Sequence, residues 1–239
     1  MDSDDPCQEA QASEAVQENS YVASSKYWEH VDPTVDGMLG GFGNISNLDI
    51  QGSQNFLTTV YQLLVKPGRQ RAVDCGAGIG RITFSFLNKV FPVVDLVEQN
   101  KTFLEEAQKQ LSATSHKGQF FNVGLQDFHP EREVYDVIWV QWVLLYLQDE
   151  DLVAFFQRCR LALKPSGVII VKENIAHGET DEIDVSDASV TRSMSSFKTL
   201  FNKAGLKIIK DKKQPRFPKE LYDVYMFALR PDFAPRTIS

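Results

Sequence analysis

The run Val73-Asp74-Cys75-Gly76-Ala77-Gly78-Ile79-Gly80-Arg81 carries the densest chemical signal in the chain. It follows a short β-prone stretch, Arg71–Cys75, and opens a helical one, Arg81–Val90. Glycines in such a turn tolerate positive φ and let the backbone approach a ligand closely. The helix start behind them offers unpaired N–H groups. Two ligand classes suit a loop of this kind. A GxGxxG spacing cradles the pyrophosphate of a dinucleotide. An xDxGxGxG spacing adds a carboxylate, which suits a nucleoside bearing a sulfonium and an ammonium. Glycines at 76, 78 and 80, with Asp74 two residues before the first, fit the second pattern.

Four further signals follow in order. Val97-Glu98 closes a second strand eighteen residues past Gly80. An acid there can accept both ribose hydroxyls, which S-adenosylmethionine (SAM) and NAD share. Gly124-Leu125-Gln126-Asp127-Phe128 follows a third strand, where class I methyltransferases place adenine contacts. Tyr135-Asp136-Val137-Ile138 begins a fourth, and Leu163-Lys164-Pro165-Ser166-Gly167 is the turn before a fifth, close to an LKPGG pattern. Together they favour SAM over a dinucleotide.

The elements that must position these residues alternate. Strands are expected at Arg71–Cys75, Val93–Val97, Gln119–Val123, Tyr135–Val140, Gly167–Lys172, Leu206–Lys210 and Asp223–Leu229. Helices are expected near 20–30 and 52–65, and at Arg81–Val90, Thr102–Ser112, Asp149–Leu163 and Ser195–Ala204. This alternation implies a single-domain α/β fold with a parallel sheet and right-handed crossovers. Joined to the five motif signals, it resembles the class I SAM-dependent methyltransferases, whose fold is a Rossmann-like, seven-stranded and mostly parallel sheet. A glycine-dense loop, Gly37–Gly43, belongs to an N-terminal helical lid at about 26–60 within a domain of 26–239. Residues 1–25 carry six acids and no Lys or Arg, which suits a disordered acidic tail and neither a secretory nor a mitochondrial leader. A reducing compartment, cytoplasm or nucleus, is the expectation.

Composition sets the outer bounds. The 239 residues carry 25 basic and 32 acidic side chains, a net charge of −7, which disfavours general nucleic-acid binding and favours cationic partners. No apolar run approaches the roughly 18–20 residues of a membrane-spanning helix. The three cysteines (Cys7, Cys75, Cys159) are widely spaced, and the four histidines (His30, His116, His129, His177) fit no ligand spacing, so no disulfide framework and no metal are expected.

The chain resembles one family closely, the protein α-N-terminal methyltransferases, which act on N-termini beginning Xaa-Pro-Lys or Xaa-Pro-Arg. The resembling segments span about 26–230 and include Tyr27-Trp28, Pro33–Gly43, Asp74–Arg81, Gly124–Phe128, Ile138–Trp142, Val171–Asn174, Asp187–Arg192 and Tyr222–Tyr225. The resemblance implies SAM as cofactor (S-adenosylhomocysteine as product), held by Gly76, Gly78, Arg81, Glu98, Leu125, Gln126 and Gln141. It implies a peptide channel of Trp28, Leu39, Trp142, Asn174, Asp184, Asp187, Ser189 and Tyr222, or Val224-Tyr225. Asp187 looks like the catalytic aspartate, with Asn174 and Tyr146 beside it. Substrates would be protein N-termini, ribosomal or chromatin-associated proteins among them, met by a monomer without nucleic acid or membrane.

The chemistry is consistent with those roles. An α-amino group has a pKa near 8, so much of it is protonated at neutral pH and a carboxylate is needed to take the proton. Trp28 and Trp142 offer faces to a cation. Asn174 can fix the first peptide carbonyl, and Asp181, Glu182 and Asp184 can meet a basic third residue. Simpler readings stand beside these: Trp142 as core, Trp28 as a helix anchor, Glu179–Asp187 as a solvated loop, and Asp187 as N-cap of a helix from about Ala188. One departure stands out. Where the family commonly reads Gly-His after Gln-Trp, this chain has Leu145-Tyr146. A phenol is a poor base at pH 7, so later methyl additions are expected to be slow. A methyltransferase for another acceptor, and a SAM- or peptide-binding module with little turnover, are the alternatives.

Overall fold

The structure, a computed structural model, describes residues 20–232. The expected acidic tail, 1–25, lies mostly outside them. Its last residues are helical: α1 spans 20–29 among the described residues, and Tyr21 donates a hydrogen bond to Asp151 at 2.5 Å.

Seven strands form the main sheet. They are β1 (Arg71–Cys75), β2 (Val93–Val97), β3 (Phe120–Phe121), β4 (Tyr135–Gln141), β5 (Leu163–Ile175), β8 (Leu206–Lys213) and β9 (Asp223–Pro231). Their spatial order is β3-β2-β1-β4-β5-β9-β8. The first five run parallel and β9 is antiparallel to both neighbours. The order reverses between β1 and β4, so a crevice opens beyond their carboxyl ends. Val168–Val171 in β5 is buried on both sides, which is why it reads as an unbroken apolar run, and β1 is buried over Ala72–Cys75 although it carries Asp74.

Helices cover both faces. α6 (Asp149–Ala162) and α7 (Met194–Lys203) bring Phe155, Phe156, Phe197 and Phe201 against one. α3 (Ser46–Leu63) and α4 (Arg81–Ser85) pack Phe56, Ile82 and neighbouring Phe86 against Trp139 on the other. α5 (Lys101–Ser112), capped by Asn100, flanks β2. Within the lid, α2 (Val35–Met38) is capped by Thr34 and followed by a turn that buries Leu39.

Three expectations change. The helix after the glycine loop is five residues followed by a separate 3-10 turn, Leu87–Lys89, because Phe86 departs from helical geometry to bury its ring. The third strand is two residues long. The acidic run is not a loop: β6 (Glu182–Asp184) and β7 (Ser189–Thr191) form an antiparallel hairpin. Asp187 therefore caps no helix. It sits in the hairpin turn, beside Ala188 at φ +58°.

Phe156 is fully buried against Phe155 and Phe201, whereas Phe84 is 47% exposed. F156A should lower unfolding free energy by about 3–5 kcal/mol and F84A by less than about 1 kcal/mol, as read from urea denaturation.

Candidate active site

The glycine loop is tied to β2 by the Gly76 and Ala77 N–H groups, which donate to the Val97 carbonyl at 2.9 and 3.0 Å. Gly76 and Gly78 hold φ +71° and +54°. A side chain at either would fill the crevice: a Cβ on Gly76 would lie 2.6 Å from Val143, and one on Gly78 2.7 Å from the Met38 sulfur. The loop is thus one wall of an open cleft of about 1060 Å³. Gly76, Gly78, Arg81, Glu98, Leu125, Gln126 and Gln141 all line it.

The charges in this cleft are held by specific partners. Glu98 accepts from the Gly78 N–H at 2.9 Å and the Asn100 N–H at 2.7 Å, while burial raises its carboxyl above the usual range. Asp74 accepts from the Thr83 hydroxyl at 2.7 Å and N–H at 3.2 Å. Burial pushes Asp74 up to about 6 against the pull of Thr83 and Arg81. Arg158, which no sequence motif marks, spans the carbonyls of Leu125, Gln126 and Phe128 at 2.8–2.9 Å and fixes the turn on the opposite wall. This set suits SAM: an acid at the end of β2 for vicinal hydroxyls, Arg81 for a carboxylate, and Asp74 where a pyrophosphate would be repelled.

A second cleft, of about 1390 Å³, adjoins the first. Trp28, Met38, Trp142 and Tyr146 line both. The second is also lined by Leu39, Asn174, Asp184, Asp187, Ser189 and Tyr222. Tyr146 donates to Asp187 Oδ2 at 2.9 Å, and the Ser189 N–H donates to Oδ1 at 3.1 Å. Burial first, then Asp187, pushes the Tyr146 hydroxyl far above its ordinary range, so it stays a donor. Trp28 meets Tyr146 edge-on at 5.8 Å. Tyr222 donates to Glu182 at 2.7 Å, which holds that carboxyl below its usual range. Asp184 is exposed at the rim.

Some candidates stand elsewhere. Asp181 accepts from the Ser193 N–H at 2.7 Å and is not part of the cleft lining. Val224 lines the cleft, but Tyr225 packs on Phe227 instead. Trp142 is neither simple core nor relaxed. Its ring is half-buried, its φ is +53°, and its indole N–H is buried without a partner among the described residues.

Two buried charges hold the loop that carries Tyr146. Glu173 accepts from the Val143 and Leu144 N–H groups at 2.7 and 2.8 Å. Arg192 donates to the Leu144 and Leu147 carbonyls at 2.8 and 2.5 Å and pairs with Asp149 at 2.8 Å. Burial pushes Glu173 up to about 7 despite these donors. The signal was present in the sequence, since a carboxylate inside a strand must be paired.

Comparison with known proteins decides the family. The family described as AdoMet-dependent proline di-methyltransferase matches residues 16–230. The chain belongs to this family. The methyltransferase is 46% identical to N-terminal Xaa-Pro-Lys N-methyltransferase 1 of Danio rerio, over 90% of this chain and 96% of that one. It is 45% identical to N-terminal Xaa-Pro-Lys N-methyltransferase 1-A of Xenopus laevis, over 88% and 95% respectively. Among solved structures, a SAM-dependent methyltransferase of Leishmania major superposes with a TM-score of 0.84 at 38% identity, covering 88% of this chain and 83% of that one. Haemonchus contortus phosphoethanolamine N-methyltransferase 1 shares the fold at 16% identity, with a TM-score of 0.70, covering 93% of this chain and 51% of that one. SAM is the cofactor of the methyltransferase.

A raised carboxyl is neutral below its folded pKa and charged above it. Asp74, at about 6, therefore loses its attraction for a cationic ligand as pH falls through that value. SAM affinity measured by calorimetry should fall below about pH 6, by up to tenfold per pH unit, and D74N should flatten that slope.

Proposed function

We propose that the methyltransferase modifies the α-amino group of proteins beginning Xaa-Pro-Lys or Xaa-Pro-Arg. The observation that carries this reading is the meeting of the two clefts at Trp28, Met38, Trp142 and Tyr146. A cofactor on one side and a peptide on the other would face each other there. SAM, when bound, supplies an electrophilic methyl group on a sulfonium.

The chain's own residues prepare the amine. Trp28 and Trp142 present ring faces to an ammonium and exclude water. Asp187 is the proton acceptor: its carboxylate stands at the hairpin turn with Tyr146 donating to it. The phenol orients Asp187 and takes no proton itself. Asn174 offers an amide to the first peptide bond, and Glu182 and Asp184 offer charge to a basic third residue. The net charge of −7 suits basic N-terminal tails, such as those of ribosomal and chromatin-associated proteins in cytoplasm or nucleus.

Leu145 lines the peptide cleft, and the Tyr146–Asp187 bond occupies one oxygen of the acceptor. Both favour one methyl over several. Each further methyl requires room and a second proton acceptance at the same carboxylate.

Mass spectrometry of a Ser-Pro-Lys-Arg peptide with SAM should show methylation of the free peptide and none of its acetylated form, with monomethyl product in excess. D187N should lose about 10²–10⁴-fold in kcat, and Y146H should raise the share of higher methyl states. SAM binding without any methyl gain would overturn the reading.

A further inference from the structure

One buried carboxylate stands behind the cofactor cleft, outside every role given so far. Asp49 lies in the first turn of α3, within the N-terminal lid segment, and is fully buried. Arg81 Nη1 pairs with its Oδ2 at 2.8 Å. Gln141 Nε2 donates to both oxygens, at 3.0 and 3.1 Å. Lys172, also fully buried, pairs with Oδ1. The Lys172 ammonium reaches three more acceptors: the Asp49 carbonyl at 3.1 Å, Ser53 Oγ at 3.1 Å and Gln214 Oε1 at 2.9 Å.

We propose that Asp49 and Lys172 are positioning residues for the cofactor's carboxylate, acting through Arg81 and Gln141. Arg81 and Lys172 share the one carboxylate of Asp49, a local excess of positive charge, while Asp74, which also feels Arg81, bonds Thr83 rather than the guanidinium. A buried excess charge is costly unless something compensates it. Arg81 is the one Lys or Arg lining the cofactor cleft among the described residues, so the compensation enters there. Of the groups on SAM, only the methionine carboxylate is anionic.

The geometry fits that use. The contacts of Arg81 to Asp49 and to Ser46 Oγ (3.2 Å) both use Nη1, which fixes the guanidinium plane and leaves its other N–H groups for the ligand. Gln141 is fixed from both ends, since its Oε1 accepts from the Trp139 indole at 3.0 Å. Burial and the nearby Arg81 pull Lys172 below its ordinary range while Asp49 opposes them. The Lys172 carbonyl also accepts from the Trp142 N–H at 3.0 Å, so the cluster abuts the junction of the clefts.

The test is binding, measured by calorimetry without any acceptor, and it is independent of which amine is methylated. S-adenosylhomocysteine is compared with 5′-methylthioadenosine, which keeps the nucleoside and lacks the amino-acid carboxylate. D49N, confirmed folded by circular dichroism, should weaken S-adenosylhomocysteine by about tenfold or more and leave methylthioadenosine within twofold. In turnover, KM for SAM should rise while kcat at saturation holds. K172Q, which keeps a polar group and removes the charge, should show the same selectivity and decides the matter where D49N does not fold. Equal losses for both ligands, or unchanged binding of S-adenosylhomocysteine, would overturn the proposal.

Discussion

The loop from Trp142 to Leu147 must face two ligands at once, and the rest of the site depends on its being held there. It begins with a tryptophan in the left-handed region of backbone space, a conformation that costs a non-glycine residue on the order of 1–3 kcal/mol. Such strain persists only where surroundings over-determine it. Here Glu173 takes the loop's N–H groups, Arg192 takes its carbonyls, and the carbonyl of Lys172 takes the N–H of Trp142. Two of these anchors, Lys172 and Glu173, come from β5 and one, Arg192, from the end of the hairpin. The sheet and the insertion thereby share control of where Tyr146 stands.

The two clefts differ in how their charge is arranged. Cation excess gathers behind the cofactor cleft, in Arg81 and Lys172 against Asp49. Acids gather along the peptide cleft, in Glu182, Asp184 and Asp187. Consecutive residues of β5 serve all three tasks. Lys172 joins the buried cluster, Glu173 holds the loop, and Asn174 enters the peptide cleft. Alternation along one strand, with side chains on opposite faces, is what lets three neighbours act in different places.

The parallel half of the fold was legible because its strands are buried on both faces and its turns need glycine. β1 and β2 fall where their β-prone stretches place them, and the reversal at β1 and β4 is that of the observed strand order. The hairpin was not legible. Its strands are three residues each and carry Glu182, Ile183 and Asp184, with Ile183 74% exposed, so no burial pattern marks them. The helix after the glycine loop is shorter than its apolar period suggests, because Phe86 and Leu87 keep that period while leaving the helix to reach the core. The residues that line the first cleft are legible because backbone demands fix their spacing. Asp49, Lys172 and Gln214 were missed because their partners lie 42 to 123 residues apart, and no local pattern announces such a pairing.

The account's central claim is that the amine is delivered where the clefts meet, against Asp187. A crystal structure of the ternary complex with S-adenosylhomocysteine and a Ser-Pro-Lys-Arg peptide tests it most directly. The account predicts the peptide's α-amine between Trp28, Trp142 and Tyr146, within hydrogen-bond reach of Asp187, with the third residue toward Glu182 and Asp184. An amine outside that junction, or a peptide that leaves the second cleft empty, would contradict it.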